Sequence, residues 1–277
     1  MSGPERATVT SDPELAPPID TSVAHPARRY DYWLGGTDNF AADRASGDAV
    51  AAAFPTIRTA AIENRGFLRR AVKHLAEQAG IRQFLDIGAG IPTRPNTHEV
   101  AQAIDVAARV VYVDNDPVVL VHGRALLTSS TAGAAAFVGA DVCDPDKILG
   151  DEQLRSTLDW SQPVALMLVA VLHFVGDDAD PYGIVKRLVE AMPAGSYLVM
   201  SHATAEHFPP ELVADIAAGR YGPFWPRSRE RFARFFDGHE LVPPGIRSVA
   251  EWRAEAEPQP RPTAADTAAY ATVARIS

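Results

Sequence analysis

Cysteine is almost absent: the 277 residues contain only Cys143. An internal disulfide and a cysteine cluster for zinc or iron–sulfur binding are therefore excluded, and a reducing compartment, read here as the cytoplasm, is expected. Lysine is also scarce. Lys73, Lys147 and Lys186 are the only three among 26 basic side chains, a bias without mechanistic weight. Basic charge is in deficit against 35 acidic side chains, and the net charge of −9 weakens attraction to nucleic acid and to anionic membrane. Long hydrophobic runs are missing too. The longest, residues 164–172, is nine residues, against roughly 20 for a membrane-spanning helix. The expected partner is thus a small molecule, with no nucleic acid and no membrane, and the sequence carries no signal for an oligomeric state. His25, His74, His98, His122, His207 and His239 show no metal-like spacing with acids, so no metal is expected. No basic-then-apolar leader opens the chain; residues 1–25, broken by Pro4, Pro13, Pro17 and Pro18, read as a disordered tail.

What is present is an ordinary globular composition, 47% hydrophobic and 22% charged. Residues 26–80 read as a helical cap. A short helix over 27–34 carries Tyr30, Trp33 and Leu34 on one face and stops at Gly35-Gly36. A second helix is expected over 38–53 and a long third over 56–79, ended by Gly80. Residues 81–277 then alternate. Apolar segments at 84–87, 110–113, 136–138, 164–172 and 197–200 are separated by helical stretches near 97–107, 117–127, 145–157 and 181–191, which predicts an α/β, doubly wound, mainly parallel sheet. The run 164–172 lacks polar alternation and fits a central strand. Helices at 210–219 and 228–236 precede two apolar segments, 240–242 and 268–276, whose irregular link suggests an antiparallel edge hairpin.

The chemistry concentrates at the strand ends. Phe84-Leu85-Asp86-Ile87-Gly88-Ala89-Gly90-Ile91-Pro92-Thr93 runs from a strand into a turn where Gly88 and Gly90 would let the backbone approach a ligand. A dinucleotide fingerprint would place a third glycine where Thr93 stands, and Asp86 would put a carboxylate near a pyrophosphate. A cationic ligand suits this turn better, and S-adenosylmethionine, with an ammonium, a sulfonium and no phosphate, is such a ligand. Asp114, followed by Asn115, ends the second strand where its two oxygens could accept from ribose hydroxyls. Asp141 ends the third, where it could accept from the adenine amino group while the Val142 amide donates to the ring. Asp116 and Asp144, each before a proline, read instead as helix caps.

These segments together resemble the class I S-adenosylmethionine-dependent methyltransferases, and more narrowly the S-adenosyl methyltransferase family, once a domain of unknown function. The narrower resemblance rests on Arg28-Arg29-Tyr30-Asp31-Tyr32-Trp33-Leu34-Gly35-Gly36-Thr37-Asp38-Asn39-Phe40, on Glu63-Asn64-Arg65-Gly66-Phe67-Leu68, on the Asp86 to Thr93 turn, on Val169-Ala170-Val171-Leu172-His173-Phe174 and on Arg231-Phe232-Ala233-Arg234-Phe235-Phe236. It spans nearly everything from residue 26 onward. It implies a Rossmann-like, seven-stranded sheet with an antiparallel last strand, S-adenosylmethionine as cofactor and an unspecified methyl acceptor. Pro92 departs from the wider class, where a third glycine is common.

Beside the strand-end acids, Arg29, Tyr30, Asn39 and Arg65 are expected to close over the methionine end of the cofactor, with Arg29 or Arg65 on its carboxylate. Trp33 and Leu34 are expected to be core. Ala89 and Ala170 belong to the segments that would line the cofactor. His173, at the end of the long apolar run, is the candidate acceptor-side base. The acceptor is expected to be a small, partly aromatic or amine-bearing molecule, held between the cap and residues 220–229, where Tyr221, Phe224 and Trp225 cluster. A non-catalytic S-adenosylmethionine or S-adenosylhomocysteine sensor, and a nicotinamide-dependent oxidoreductase, are the alternatives.

Overall fold

The computed structural model describes residues 19–127 and 133–277. Most of the tail expected over 1–25 lies outside the described residues. Residues 19–25 lie within them and make contacts: the Asp20 carbonyl accepts from Arg28 at 3.0 Å, and His25 caps the first helix.

The element order is α1 (Pro26–Trp33), α2 (Ala41–Ala53), α3 (Ile57–Gln78), β1 (Gln83–Ile87), α4 (Thr97–Gln102), β2 (Arg109–Asp114), α5 (Pro117–Leu127), β3 (Ala134–Gly139), α6 (Pro145–Gly150), α7 (Glu152–Thr157), β4 (Ala165–Val169), α8 (Pro181–Glu190), β5 (Tyr197–Ala203), α9 (Pro210–Ala217), α10 (Arg229–Ala233), β6 (Glu240–Leu241), β7 (Arg247–Ser248), α11 (Ala264–Thr267) and β8 (Ala269–Arg275). The sheet runs β3-β2-β1-β4-β5-β8-β6, with β7 also on β8. β1 to β5 pair in parallel, and β8 is antiparallel to β5, β6 and β7. This is the doubly wound order with an antiparallel far edge. The eighth strand, the two-residue β7, was not expected from the sequence.

Period-two alternation assigns each strand residue to a face. Phe84 in β1 and Ala165 and Met167 in β4 pack under α3, with Phe67, Leu68, Ala71, Val72 and Leu75. Leu85, Ile87, Leu166 and Leu168 pack on the opposite face with Ile148, Leu154, Ile184 and Leu188. Both faces of the central strands are covered, so their side chains read as unbroken apolar runs. No helix among the described residues is long and apolar enough to cross a membrane.

Local chemistry shifts several expected boundaries. α2 starts at Ala41 rather than 38, because the Asp38 amide and the Asn39 side chain are committed to Asp31, and Asp43 caps the helix through the Phe40 amide at 2.8 Å. The helix expected over 145–157 splits, because Asp151 adopts an extended conformation and caps α7 through the amides of Gln153 and Leu154. The apolar run 164–172 leaves the sheet after Val169: Ala170 has φ of +56°, and residues 172–174 form a 3₁₀ turn.

The helical N-terminus is fastened to the sheet by charge. Asp116 is fully buried; it caps α5 through the Val118 amide at 2.8 Å, as expected, and also meets Arg28 Nε at 2.9 Å and His25 Nδ1 at 2.8 Å. Burial alone would raise its carboxyl, but His25 and Arg28 hold it down at about 2. Asp116→Asn keeps the cap acceptor and removes the charge, leaving buried Arg28 with only Asp43, 3.9 Å from its Nη1; urea unfolding is expected to show a loss of about 3 kcal/mol. Because the folded carboxyl titrates below the unfolded value of 3.8, its contribution is present above that value and lost as the pH falls toward 2, by about 2 kcal/mol. The variant should lack this component of the acid dependence.

Candidate functional site

The strand order reverses between β1 and β4, and a crevice opens outside the carboxyl ends of parallel strands at such a point. A cleft of about 1070 Å³, counting its open mouth, lies there. It is lined by Asp86, Gly88, Ala89 and Gly90 from β1 and its turn, Asp114 and Asn115 from β2, and Asp141 and Val142 beyond β3. Ala170 after β4, Tyr30 from α1 and Asn64 and Arg65 from α3 complete the wall. Eleven of the fourteen residues singled out in the sequence, these twelve apart from Asn64, thus share one cavity.

The three acids differ. Asp86 is buried and accepts from the Thr97 hydroxyl at 2.7 Å; burial raises its carboxyl, tempered by that bond and by Arg65. Asp114, also buried, accepts from the Gly90 amide at 2.8 Å and the Asp116 amide at 2.9 Å, one on each oxygen. Burial raises it too, against those two bonds. Each oxygen keeps a second lone pair that could accept from a ligand in the cleft. Asp141 is exposed at the rim, accepting from Asn115 Nδ2 at 2.7 Å and the Cys143 amide at 2.8 Å. Its residual burial raises it, and these bonds outweigh that and lower it.

The glycine turn is tied to β2. The Gly88 and Ala89 amides donate to the Val113 carbonyl at 2.8 and 3.2 Å, and the Gly90 amide is the one on Asp114. None of these amides is free to cradle a phosphate. No helix starts at the turn either, since α4 begins at Thr97. Gly88 and Gly90 have φ of +74° and +68°. At Gly90 an added Cβ would meet open space, whereas at Gly88 it would lie 2.5 Å from Val171, so Gly88 is required by the packing of Val171 as well as by its φ. Arg65 spans the cleft wall and donates to the Thr93 carbonyl at 2.6 Å and the Pro95 carbonyl at 3.1 Å.

Three expected residues lie elsewhere. Asn39 is buried below the α1–α2 turn, where Nδ2 donates to Asp31 at 2.8 Å and to the Gly36 carbonyl at 3.0 Å. Of the Gly35-Gly36 pair, Gly36 makes room for that carboxylate: a Cβ there would fall 1.9 Å from Asp31 Oδ1, whereas one on Gly35 would meet nothing. The close approach read from the paired glycines is real, but its partner is Asp31. Arg29 and His173 face a second cavity of about 970 Å³ that contacts neither Asp86 nor Asp114. His173 is buried among Phe174, Phe224 and His202, and its Nδ1 accepts from the Ala203 amide at 3.3 Å. Burial, then the neighbouring His202 and Arg227, push it well below its ordinary value. Its ring is neutral and the one basic nitrogen is already engaged. Trp33 lines this cavity too, as do Tyr221 and Phe224, while Trp225 does not and is 42% exposed.

Pro26, Tyr30, Asn64, Ala170 and Phe174 line both cavities. A buried hydrogen-bond chain stiffens this shared wall: the Ala170 amide donates to Ser201 Oγ at 3.0 Å, Ser201 Oγ to Asn64 Oδ1, Asn64 Nδ2 to the Tyr30 hydroxyl at 3.0 Å, and that hydroxyl to the Ala61 carbonyl at 2.9 Å. Asn64, Ser201 and His25 were not singled out as site residues in the sequence. Asn64 was visible only as part of the Glu63-Asn64-Arg65 segment, and Ser201 reads as ordinary strand.

The sequence profile of the S-adenosyl methyltransferase family matches residues 12–277. The chain belongs to the S-adenosyl methyltransferase family. A DUF574 family protein from Streptomyces avermitilis is 48% identical over 94% of this chain and all of its own, with a TM-score of 0.87. A protein from Thermobifida fusca, provisionally described as a methyltransferase, is 42% identical over 93% of this chain and 97% of its own, with a TM-score of 0.85. No curated protein matches. This family member is an S-adenosylmethionine-dependent methyltransferase, and the cleft fits the cofactor on its own chemistry: three carboxylates suit a cationic ligand, Asp114 has spare acceptor capacity, and the turn offers no phosphate cradle. Calorimetry with S-adenosylhomocysteine is expected to show a loss of about 1.5–3 kcal/mol for Asp114→Ala, with no binding of NAD to the parent protein. Since burial raises the Asp114 carboxyl and the ionised form is the stronger acceptor, wild-type affinity should fall with decreasing pH from above the ordinary aspartate range.

Proposed function

We propose that the protein moves the S-methyl group of S-adenosylmethionine to a small molecule seated in the second cavity, against the wall of Tyr30, Asn64, Ala170 and Phe174. The observation that carries this reading is a shared border: two cavities of ligand size meet at Pro26, Tyr30, Asn64, Ala170 and Phe174, which line both. Methyl transfer needs donor and acceptor held in line, and the cofactor itself supplies the electrophilic methyl carbon.

The residues divide accordingly. Asp114 would hold the ribose diol, and Asp141 with the Val142 amide the adenine edge, beside Asn115. Asp86, Gly88, Ala89, Gly90, Arg65, Tyr30 and Ala170 would surround the methionine end, with Arg65 nearest the carboxylate. Arg29 and Asn39 drop out of this set because neither reaches the cleft. Residues 26–80 act as a cap on the 81–277 unit, and they close the second cavity with Trp33, Phe54 and Ile57. His173 is better suited to orient the acceptor than to deprotonate it, because Nδ1 is engaged and the ring is held neutral. The apolar lining and the net charge of −9 favour a small acceptor over nucleic acid, and the single cysteine favours the cytoplasm.

Labelled S-adenosylmethionine incubated with the protein and a cell extract is expected to label the small-metabolite fraction; label chiefly in RNA or protein would refute the reading. Once an acceptor is found, Ala53→Phe, which fills the second cavity only, should lower kcat/KM by about tenfold or more, roughly 1.4 kcal/mol, with S-adenosylhomocysteine affinity unchanged. His173→Ala should lower turnover without removing any ionisation near 6.5 from the pH profile, because burial holds the His173 ring well below that value.

A further inference from the structure

We propose that the second cavity selects an acceptor that carries a negative charge, anchored by Arg29. The inference rests on the reading of that cavity as the acceptor site. Its lining is aromatic and aliphatic, with Asn64, Ser201, Thr267 and two neutral histidines as the polar exceptions, and Arg29 is the only formally charged residue among the described residues lining it. No aspartate, glutamate or lysine lines it.

Arg29 is 6% exposed, and its partners are neutral: Nη1 donates to the Tyr221 carbonyl at 2.9 Å and to the Ser46 hydroxyl at 3.3 Å, and Nε has no partner. Two other buried arginines of the same fold are treated differently. Arg28 is paired with Asp116 and Arg227 with Asp177. The acid that acts on Arg29 through space, Asp43, spends its two oxygens on the His25 and Phe40 amides. A guanidinium stays charged when buried, and a buried cation without a counterion is costly unless something arrives to neutralise it. A carboxylate or another anionic oxygen group on an apolar body fits this cavity in charge and lining alike. A cationic amine does not, which replaces the amine-bearing acceptor expected from composition.

Arg29 lines the second cavity and not the cofactor cleft. The anchored group therefore sits in the second cavity and outside the cofactor cleft, and the atom that receives the methyl group belongs to another part of the acceptor. The anion serves orientation, and its loss should show in binding.

The test uses three probes with one skeleton, 2-naphthylacetate, 2-(2-naphthyl)ethanol and 2-(2-naphthyl)ethylammonium, titrated into the full chain saturated with S-adenosylhomocysteine. The acetate is expected to bind at least tenfold tighter than the alcohol, and the ammonium weakest. Arg29→Met should abolish the preference and Arg29→Lys should retain it, both with unchanged S-adenosylhomocysteine affinity. The proposal is overturned if the alcohol or the ammonium binds as tightly as the acetate, if the preference survives in Arg29→Met, or if none of the probes binds to wild type that still takes S-adenosylhomocysteine. Should Arg29→Met not fold, the wild-type ranking and Arg29→Lys decide. Because only binding is read, this outcome is independent of whether label from the cofactor enters small molecules.

Discussion

Asp116 is the fastening point of the molecule. Its carboxylate sits two residues beyond the end of β2, and there it caps α5, meets Arg28 and His25, and donates its own amide to Asp114. One residue thus fixes the start of the following helix and the seat of α1 against the sheet through its carboxylate, and the orientation of the acid that faces the cleft through its backbone amide. Without it, α1 would lose the hold of Arg28 on the end of β2, and Tyr30 would keep only its own bonds to Asn64 and Ala61 on α3. A desolvated carboxylate is tolerated here because the Arg28 guanidinium, the His25 ring and a helix terminus converge on it.

The second level of order is the polar chain from the Ala170 amide through Ser201 and Asn64 to Tyr30. It joins the end of β4, β5, α3 and α1, the elements that bound both cavities. Ala170 holds a left-handed conformation without being glycine, and its amide also reaches the Ser201 carbonyl at 3.2 Å. Such a conformation persists where surroundings overdetermine it, and it marks the place where β4 turns away from the sheet.

The sequence was most legible where one local pattern admits one structural answer. The central strands read as apolar runs because both faces of the sheet are covered, and Asp86, Asp114 and Asp141 stood out because an acid ending such a run has few apolar reasons to be there. Legibility failed where the partner is remote. Asp116 lies 88 positions beyond Arg28, so its second role beyond capping α5 could not be read from local spacing. Gly35-Gly36 announced a close approach without saying to what, and the answer, Asp31, removed Asn39 from the site. His173 and Arg29 were credible as chemistry-bearing residues, but the face on which each would emerge depended on how α1 and the segment after β4 are folded back. The eighth strand is two residues long, below what alternation can signal.

The separation of the two cavities has a consequence for specificity. The cofactor cleft is built mainly from the ends of β1, β2 and β3, which are tied to one another by backbone hydrogen bonds, whereas the second cavity draws on α1, α2, α3, α9 and the segment around Phe224. Side chains such as Ala53, Ile57, Leu212 and Ile216 can change in size without touching a residue of the cleft. On the proposed assignment, substitutions in those positions would retune which acceptors enter while the cofactor cleft keeps its lining.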